Sequence, residues 1–227
     1  MPNAKIALIK RPLSLCDIAV NIIRDAIING SYQLGEPLSE SKLVESLGIS
    51  KTPVREALLI LKLEGLISIV PQKGTFVFTL GVDELANLGQ YRFALESTAV
   101  EMSITKNSEQ LISDLLNICT LMTEAQSKEE ISEYLQLDIK FHEAIIDHCE
   151  NIYLKDAYRR ISGKVAAIRT HLSLRPHHTK KSFHEHLEIV ELLKKGMIEE
   201  VKSTLERHIT RGERSYPETV KDIANTE

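Results

Sequence analysis

The chain has no tryptophan, and aromatic residues make up only 5% of its 227 positions. A core without many large rings must be aliphatic, and the hydrophobic share of 43% is ample for that. Cysteine is scarce as well. Cys16, Cys119 and Cys149 are odd in number and form no CxxC pair, which excludes a disulfide framework or a zinc finger and fits a reducing cytoplasm. No apolar run approaches a membrane span, and no secretory pattern opens the chain; membrane and exported classes are therefore not expected. Repeats and low-complexity segments are missing. So is any cationic excess, since 28 Lys and Arg face 32 Asp and Glu for a net charge of −4. A globally basic nucleic-acid binder is excluded. The charge is uneven, however. Residues 1–80 carry 9 cationic and 7 acidic side chains (+2), and the remainder carries 19 and 25 (−6). Any DNA-binding surface must be local.

What is present begins with Gly48-Ile49-Ser50-Lys51-Thr52-Pro53-Val54-Arg55-Glu56-Ala57-Leu58. Thr52 is a good N-cap and Pro53 would then hold the first helical position, where a missing N–H costs nothing. Val54, Ala57, Leu58 and Leu61 recur at helical spacing as a buried stripe. Arg55 lies off that stripe in the first turn, with Ser50, Lys51 and Thr52 beside it. Upstream, Leu15 to Ile28 is an amphipathic helix stopped by Asn29-Gly30. Tyr32 to Pro37 is a turn-rich connector, Ser39 caps a short helix ending at Leu47, and Gly48 permits a tight turn. Downstream, Leu66 to Val70 and Thr75 to Thr79 read as strands joined by a hairpin tip, Pro71-Gln72-Lys73-Gly74. Helix, turn, helix and wing place a helix N-terminus in the DNA major groove. Cations there position the protein on phosphates and read base edges, and Lys73 with the Gly74 N–H at the tip suits a phosphate or minor-groove contact. The bland alternative, ordinary surface charges, loses to the flanking architecture.

These residues resemble the winged helix-turn-helix domain of the GntR family of bacterial transcription regulators. The matching pieces are Ala26 to Gly30, Leu34-Gly35-Glu36, Leu38-Ser39-Glu40, Leu47 to Leu58, Leu63 to Leu66 and Gly74 to Val77. The family often has Arg where this chain has Lys51.

After Leu80 only helical patterns follow. They cover Glu84 to Lys106, Glu109 to Gln126, Glu129 to Cys149, Asn151 to Leu174, Lys181 to Lys195 and Ile198 to about Ser215, with a loop at Arg175 to Thr179. Short links between six helices suggest an antiparallel bundle. Asp138 and His142 are four residues apart and share a helix face with Leu135, Ile145 and Cys149. His186 shares a face with Val190 and Leu193, and His208 with Val201, Leu205 and Gly212. Gly196 falls about midway between these two histidines, so an antiparallel hairpin sets them at similar height. Three imidazoles and a carboxylate converging inside a bundle form a ligand set for zinc, nickel, manganese or iron. Separate, hydrogen-bonded core histidines are the alternative. His177, His178 and His184 read as polar-loop or off-face residues.

This half is similar to the all-helical FCD effector domain of the FadR subgroup. The similarity rests on Arg92-x-x-Leu95-Glu96, Asp138-x-x-Phe141-His142, Glu185-His186 and His208-Ile209. It implies that Asp138, His142, His186 and His208 bind a divalent metal, zinc first, with a small organic acid beside it. Arg92 matches a position that often faces the effector; a salt bridge to Glu96 is the other reading. Helix register leaves open whether Arg159, Arg160 or Arg169 also reaches the pocket. The expectation is a mainly α chain, with a winged helix-turn-helix DNA-binding domain at 1–80 and an all-helical effector-binding and dimerisation domain at 81–227. It would act as a cytoplasmic, homodimeric, metabolite-responsive repressor on a near-palindromic double-stranded DNA operator. A regulator with a purely structural metal and a metal-dependent enzyme are the competing classes, and no nucleophile or general-base constellation supports the enzyme.

Overall fold

The structure is a computed structural model that describes residues 12–173 and 176–224, the side chains of 176–178 and 212–224 excepted. Arg175 and the His177, His178 and Gly212 side chains therefore lie outside the described residues.

Helix α1 (Leu15–Ile28) opens on a capping box the sequence reading missed. Ser14 Oγ accepts the Asp17 N–H, and Asp17 returns a carboxylate to the Ser14 N–H, both at 3.1 Å. Asn29-Gly30 ends the helix as its pattern predicts, with Gly30 at φ +80. Strand β1 (Pro37–Leu38) follows, inside what reads as connector. Only two residues long, it has no alternation to betray it; pairing with a later strand creates it. Ser39 caps α2 (Glu40–Leu47), accepting the Lys42 N–H at 3.4 Å, and Gly48 turns the chain at φ +64.

Helix α3 (Lys51–Leu63) begins two residues earlier than the Thr52 cap would allow. Ser50 is the N-cap, without a side-chain cap bond, and Pro53 is the third helical residue. Proline is tolerated there because the first four N–H groups of a helix have no intrahelical acceptor. Val54, Ala57, Leu58 and Leu61 are buried as their spacing predicts. Strands β2 (Ile67–Val70) and β3 (Gly74–Val77) form the hairpin, and β1 adds on the outer side of β3, giving the antiparallel order β1-β3-β2.

Helix α4 (Val82–Ser127) unites two expected helices. It bends at Asn107 (φ −154, ψ 47), inside the gap between the two apolar patterns. Helices α5 (Ile131–His148), α6 (Ile152–Ser173), α7 (Pro176–Lys194) and α8 (Ile198–Ala224) complete the bundle. The expected loop at Arg175 to Thr179 is largely the first turn of α7. Pro176 at the first position needs no N–H and presets φ, so proline starts this helix instead of interrupting it.

Two cores result. One holds the bundle, from Leu111 and Leu115 through Phe141 and Ile145 to Val201 and Leu205. The other holds the winged elements, and it also takes in Leu85 of α4 and Ala167, Ile168 and Leu172 of α6. Gly163 of α6 faces the Leu66 side chain, which a Cβ there would meet in ordinary contact at 3.4 Å. Packing thus continues across Leu80.

Leu61 is wholly buried, and Leu63, two residues on, is 88% exposed. Leu61→Ala should cost about 2–5 kcal/mol in urea unfolding. Leu63→Ala should change stability by less than about 0.5 kcal/mol. Equal effects would mean α3 is turned differently against its core.

Candidate functional site

Three helices supply the four residues of a buried polar centre. Asp138 and His142 come from successive turns of α5, His186 from α7 and His208 from α8. All four residues are buried, and their ligand atoms lie within 4.8 Å of one another. The α7–α8 turn at Gly196 (φ +69) folds the two helices back together, bringing the His186 and His208 ring centroids to 4.7 Å. His142 Nε2 is 3.3 Å from His186 Nε2 and 3.2 Å from His208 Nε2. His186 Nε2 is 3.5 Å from Asp138 Oδ1.

Two partners that sequence reasoning did not assign fix the imidazole tautomers. Glu96 Oε2 lies 2.7 Å from His142 Nδ1, and Glu185 Oε2 lies 3.0 Å from His208 Nδ1. A carboxylate in each position accepts the Nδ1 proton and leaves Nε2 with a bare lone pair. The Nε2 atoms of His142 and His208 then face each other 3.2 Å apart. Two lone pairs at that distance repel unless a proton or a metal ion lies between them. Protonation is disfavoured here. Burial first, then neighbouring cationic groups, pushes His142 well down from its usual range, and His186 and His208 to about 3. Burial alone would raise the Asp138 carboxyl, but Arg169 and the three histidines hold it below the ordinary carboxylate range. Nitrogens bound to one zinc at about 2.0–2.1 Å lie roughly 2.8–3.4 Å apart, from octahedral cis pairs at the short end to tetrahedral pairs at the long end. The separations observed here match that.

A cavity of about 100 Å³ opens beside the cluster. Asp138 and His208 line it with Arg92 and Arg169. Arg92 makes the salt bridge to Glu96 that one reading expects. It lines the cavity, and its Nε donates to Glu96 Oε1 at 2.5 Å and its Nη2 lies 3.1 Å from both nitrogens of His142. Of the three arginines left open, Arg169 reaches the cavity, where its Nη1 pairs with Asp138 Oδ2 at 2.8 Å. That contact is an ion pair at an oblique angle, not an aligned hydrogen bond. Arg169 Nη2 is buried with no hydrogen-bond partner. Arg159 and Arg160 line a different groove. The Asp/His face pattern was the available signal for α5; nothing in a single helix pattern marks Arg169.

On the winged elements, Ser50, Lys51, Thr52 and Arg55 are exposed together at the start of α3. Arg55 Nε is 2.8 Å from Glu40 Oε2 on α2, a pair with most of the guanidinium in solvent. Lys73 and Gly74 are exposed at the hairpin tip, with Gly74 at φ +117. These two groups and the buried cluster occupy separate parts of the chain.

An exposed cationic helix start on a winged helix-turn-helix, joined to an all-α bundle with an internal polar centre, is the architecture of a DNA-binding transcription regulator. Residues 17–77 match the family described as bacterial regulatory proteins, gntR family, and residues 87–211 match the FCD domain. The chain belongs to the GntR family of transcription regulators, in its FCD-bearing group. It is 28% identical over 189 residues to the HTH-type transcriptional regulator YdhC of Bacillus subtilis, covering 83% of this chain and 84% of that one. It is 31% identical over 133 residues to the gluconate operon transcriptional repressor of B. subtilis, covering 59% and 54%. Among solved structures, a GntR regulator from Rhodococcus sp. RHA1 superposes with a TM-score of 0.79 at 22% identity, over 90% of this chain and 98% of that one. E. coli McbR/YncC gives 0.78 at 21%, over 92% and 100%. These two show a shared fold. The families and relatives are regulators of transcription, not enzymes.

The histidines set a pH dependence. Unfolded imidazoles take protons near pH 6.5, whereas folded His186 and His208 do so only near 3. Between these values the unfolded state binds more protons, so stability falls as pH falls. The metal-free chain should therefore lose urea resistance progressively below pH 6.5. His208→Gln should flatten that slope. An unchanged slope would mean that His208 is not neutral in the folded state.

Proposed function

We propose that this DNA-binding regulator is a metal-containing, metabolite-responsive repressor acting as a homodimer in the cytoplasm. Residues 1–80 would form the DNA-binding domain and 81–227 the effector and dimer domain. The observation that carries the metal is the facing pair of Nε2 atoms on His142 and His208, each kept bare by a carboxylate behind it. Asp138, His142, His186 and His208 would hold one divalent ion, zinc first, with nickel, manganese or iron as alternatives. Four protein ligands of this kind leave positions for water or an effector oxygen on a five- or six-coordinate ion. The ion supplies positive charge beside an otherwise apolar cavity, and a small organic acid is the ligand this suits.

Operator contacts are assigned to Ser50, Lys51, Thr52 and Arg55 at the start of α3, with Lys73 and Gly74 at the wing. Arg55 is the base reader among them, because a guanidinium matches a guanine edge with two donors. Its pairing with exposed Glu40 is the kind of solvent-screened contact that DNA readily replaces. One winged unit covers a short half-site, so a dimer on a near-palindrome follows. An effector acts by favouring one placement of the winged elements over another. Helix α6 is the natural route, since Arg169 pairs with Asp138 while Ile168 and Leu172 lie in the winged core. On the same helix His171 Nε2 accepts the Leu34 N–H at 3.4 Å.

Arg55→Ala should weaken operator binding about tenfold to a hundredfold. Lys73→Ala should weaken all sequences alike and flatten the salt dependence. Operator binding at wild-type strength by Arg55→Ala would remove α3 as the reading helix. For the bundle, elemental analysis of protein purified without chelator should give one divalent ion per chain. His142→Ala or His208→Ala should lower that content and the melting temperature. Full metal content in the variant with all four ligands changed to Ala would place the ion elsewhere.

A further inference from the structure

The cavity beside the metal ligands is chemically lopsided. Leu85, Leu88, Leu135, Val165, Ile168 and Leu172 make its apolar wall. Its polar groups are nearly all committed to partners inside the protein. Arg92 donates to Glu96, and Arg211 pairs with Glu185. Tyr134 Oη donates to Thr179 O at 3.0 Å, Ser173 Oγ to Thr170 O at 2.6 Å, and Ser182 Oγ approaches Asp138 Oδ1 at 3.5 Å. Arg169 differs: its Nη2 is buried and has no hydrogen-bond partner. Its Nη1 is held against Asp138, so among the described residues this is a cationic donor without a partner beside the Asp138 carboxylate. A second carboxylate would find the other lining arginines, Arg92 and Arg211, already paired with Glu96 and Glu185, and a buried unpaired charge is strongly disfavoured.

We infer that the effector is a carboxylate with an apolar tail, its head held between Arg169 Nη2 and the metal-ligand cluster and its tail against the leucine wall. This rests on the effector reading above. The wall also gives the two ends of the ligand different work. Leu85, Ile168 and Leu172 belong to the buried core of the winged elements, and Leu88 packs against that core. A tail that presses on them acts on the packing of the DNA-binding elements, whereas a head alone stays within the bundle. The head supplies anchoring and the tail supplies the signal.

The test uses the full chain loaded with zinc and three probes: acetate, pentanoate and glutarate. Pentanoate should bind tens of times tighter than acetate, as expected for burying three further methylenes. Glutarate, matched in carbon number but charged at both ends, should bind more weakly than pentanoate. Amide hydrogen exchange at Leu34, whose N–H bonds His171 on α6, should change with pentanoate bound and stay as it was with saturating acetate. Leu88→Gln, at a half-buried wall position, should weaken pentanoate about tenfold and leave acetate unaffected. Glutarate tighter than pentanoate, or acetate equal to it, would overturn the tail while leaving a carboxylate effector in place. Failure of every acid to bind the zinc-loaded chain would overturn the effector reading itself, and this inference with it.

Discussion

Everything in the bundle is arranged around imidazole nitrogens that face one another inside an apolar core. Buried polar groups are tolerated when paired, and lone pairs cannot pair with lone pairs. The helices therefore bring a second layer of groups. Glu96 stands behind His142 and Glu185 behind His208, and each carboxylate is itself held by an arginine, Arg92 and Arg211 respectively. The result is a set of alternating charges that disfavours protonation of the imidazoles at the centre. Removing Glu96 would leave buried Arg92 without its ion-pair partner.

The same logic links the centre to the rest of the chain. Asp138 faces the histidines with one oxygen and Arg169 with the other. Arg169 lies on α6 between residues that pack into the winged core, and Gly163 of that helix faces Leu66. A change at the centre thus has a short path to the DNA-binding elements, carried by one rigid helix. Coupling of this kind needs two arrangements with different ligand affinity. The packing continuous across Leu80 supplies the shared surface on which such arrangements would differ.

The exposed face of the winged elements follows a different rule. Exposed cations at the start of α3 and at the hairpin tip keep their side chains in solvent, and the pairing of Arg55 with Glu40 is screened there. The overall charge of −4 is compatible with DNA binding because the acidic excess lies in the later part of the chain.

The amino-acid order by itself determined the local elements whose causes are local. The buried stripe of α3, the Ser39 cap, the Gly48 turn and the break near Asn107 all follow from spacing and backbone preference within a few residues. It also determined that Asp138 and His142 share a face, and that a turn at Gly196 sets His186 level with His208. Where the sequence misled, a local rule had two outcomes: Pro53 is tolerated at the third helical position as well as the first, and Pro176 starts a helix instead of interrupting one. Tertiary structure alone decided β1, because two residues make a strand only beside a partner. It decided that Glu96 and Glu185 orient the imidazoles, since each pair is separated in sequence by 46 and 23 residues. It decided too that Arg169, and not Arg159 or Arg160, reaches the cavity. The side chain that meets a site depends on how its helix is rotated against its neighbours, and a packed interior, not the helix's own pattern, sets that rotation.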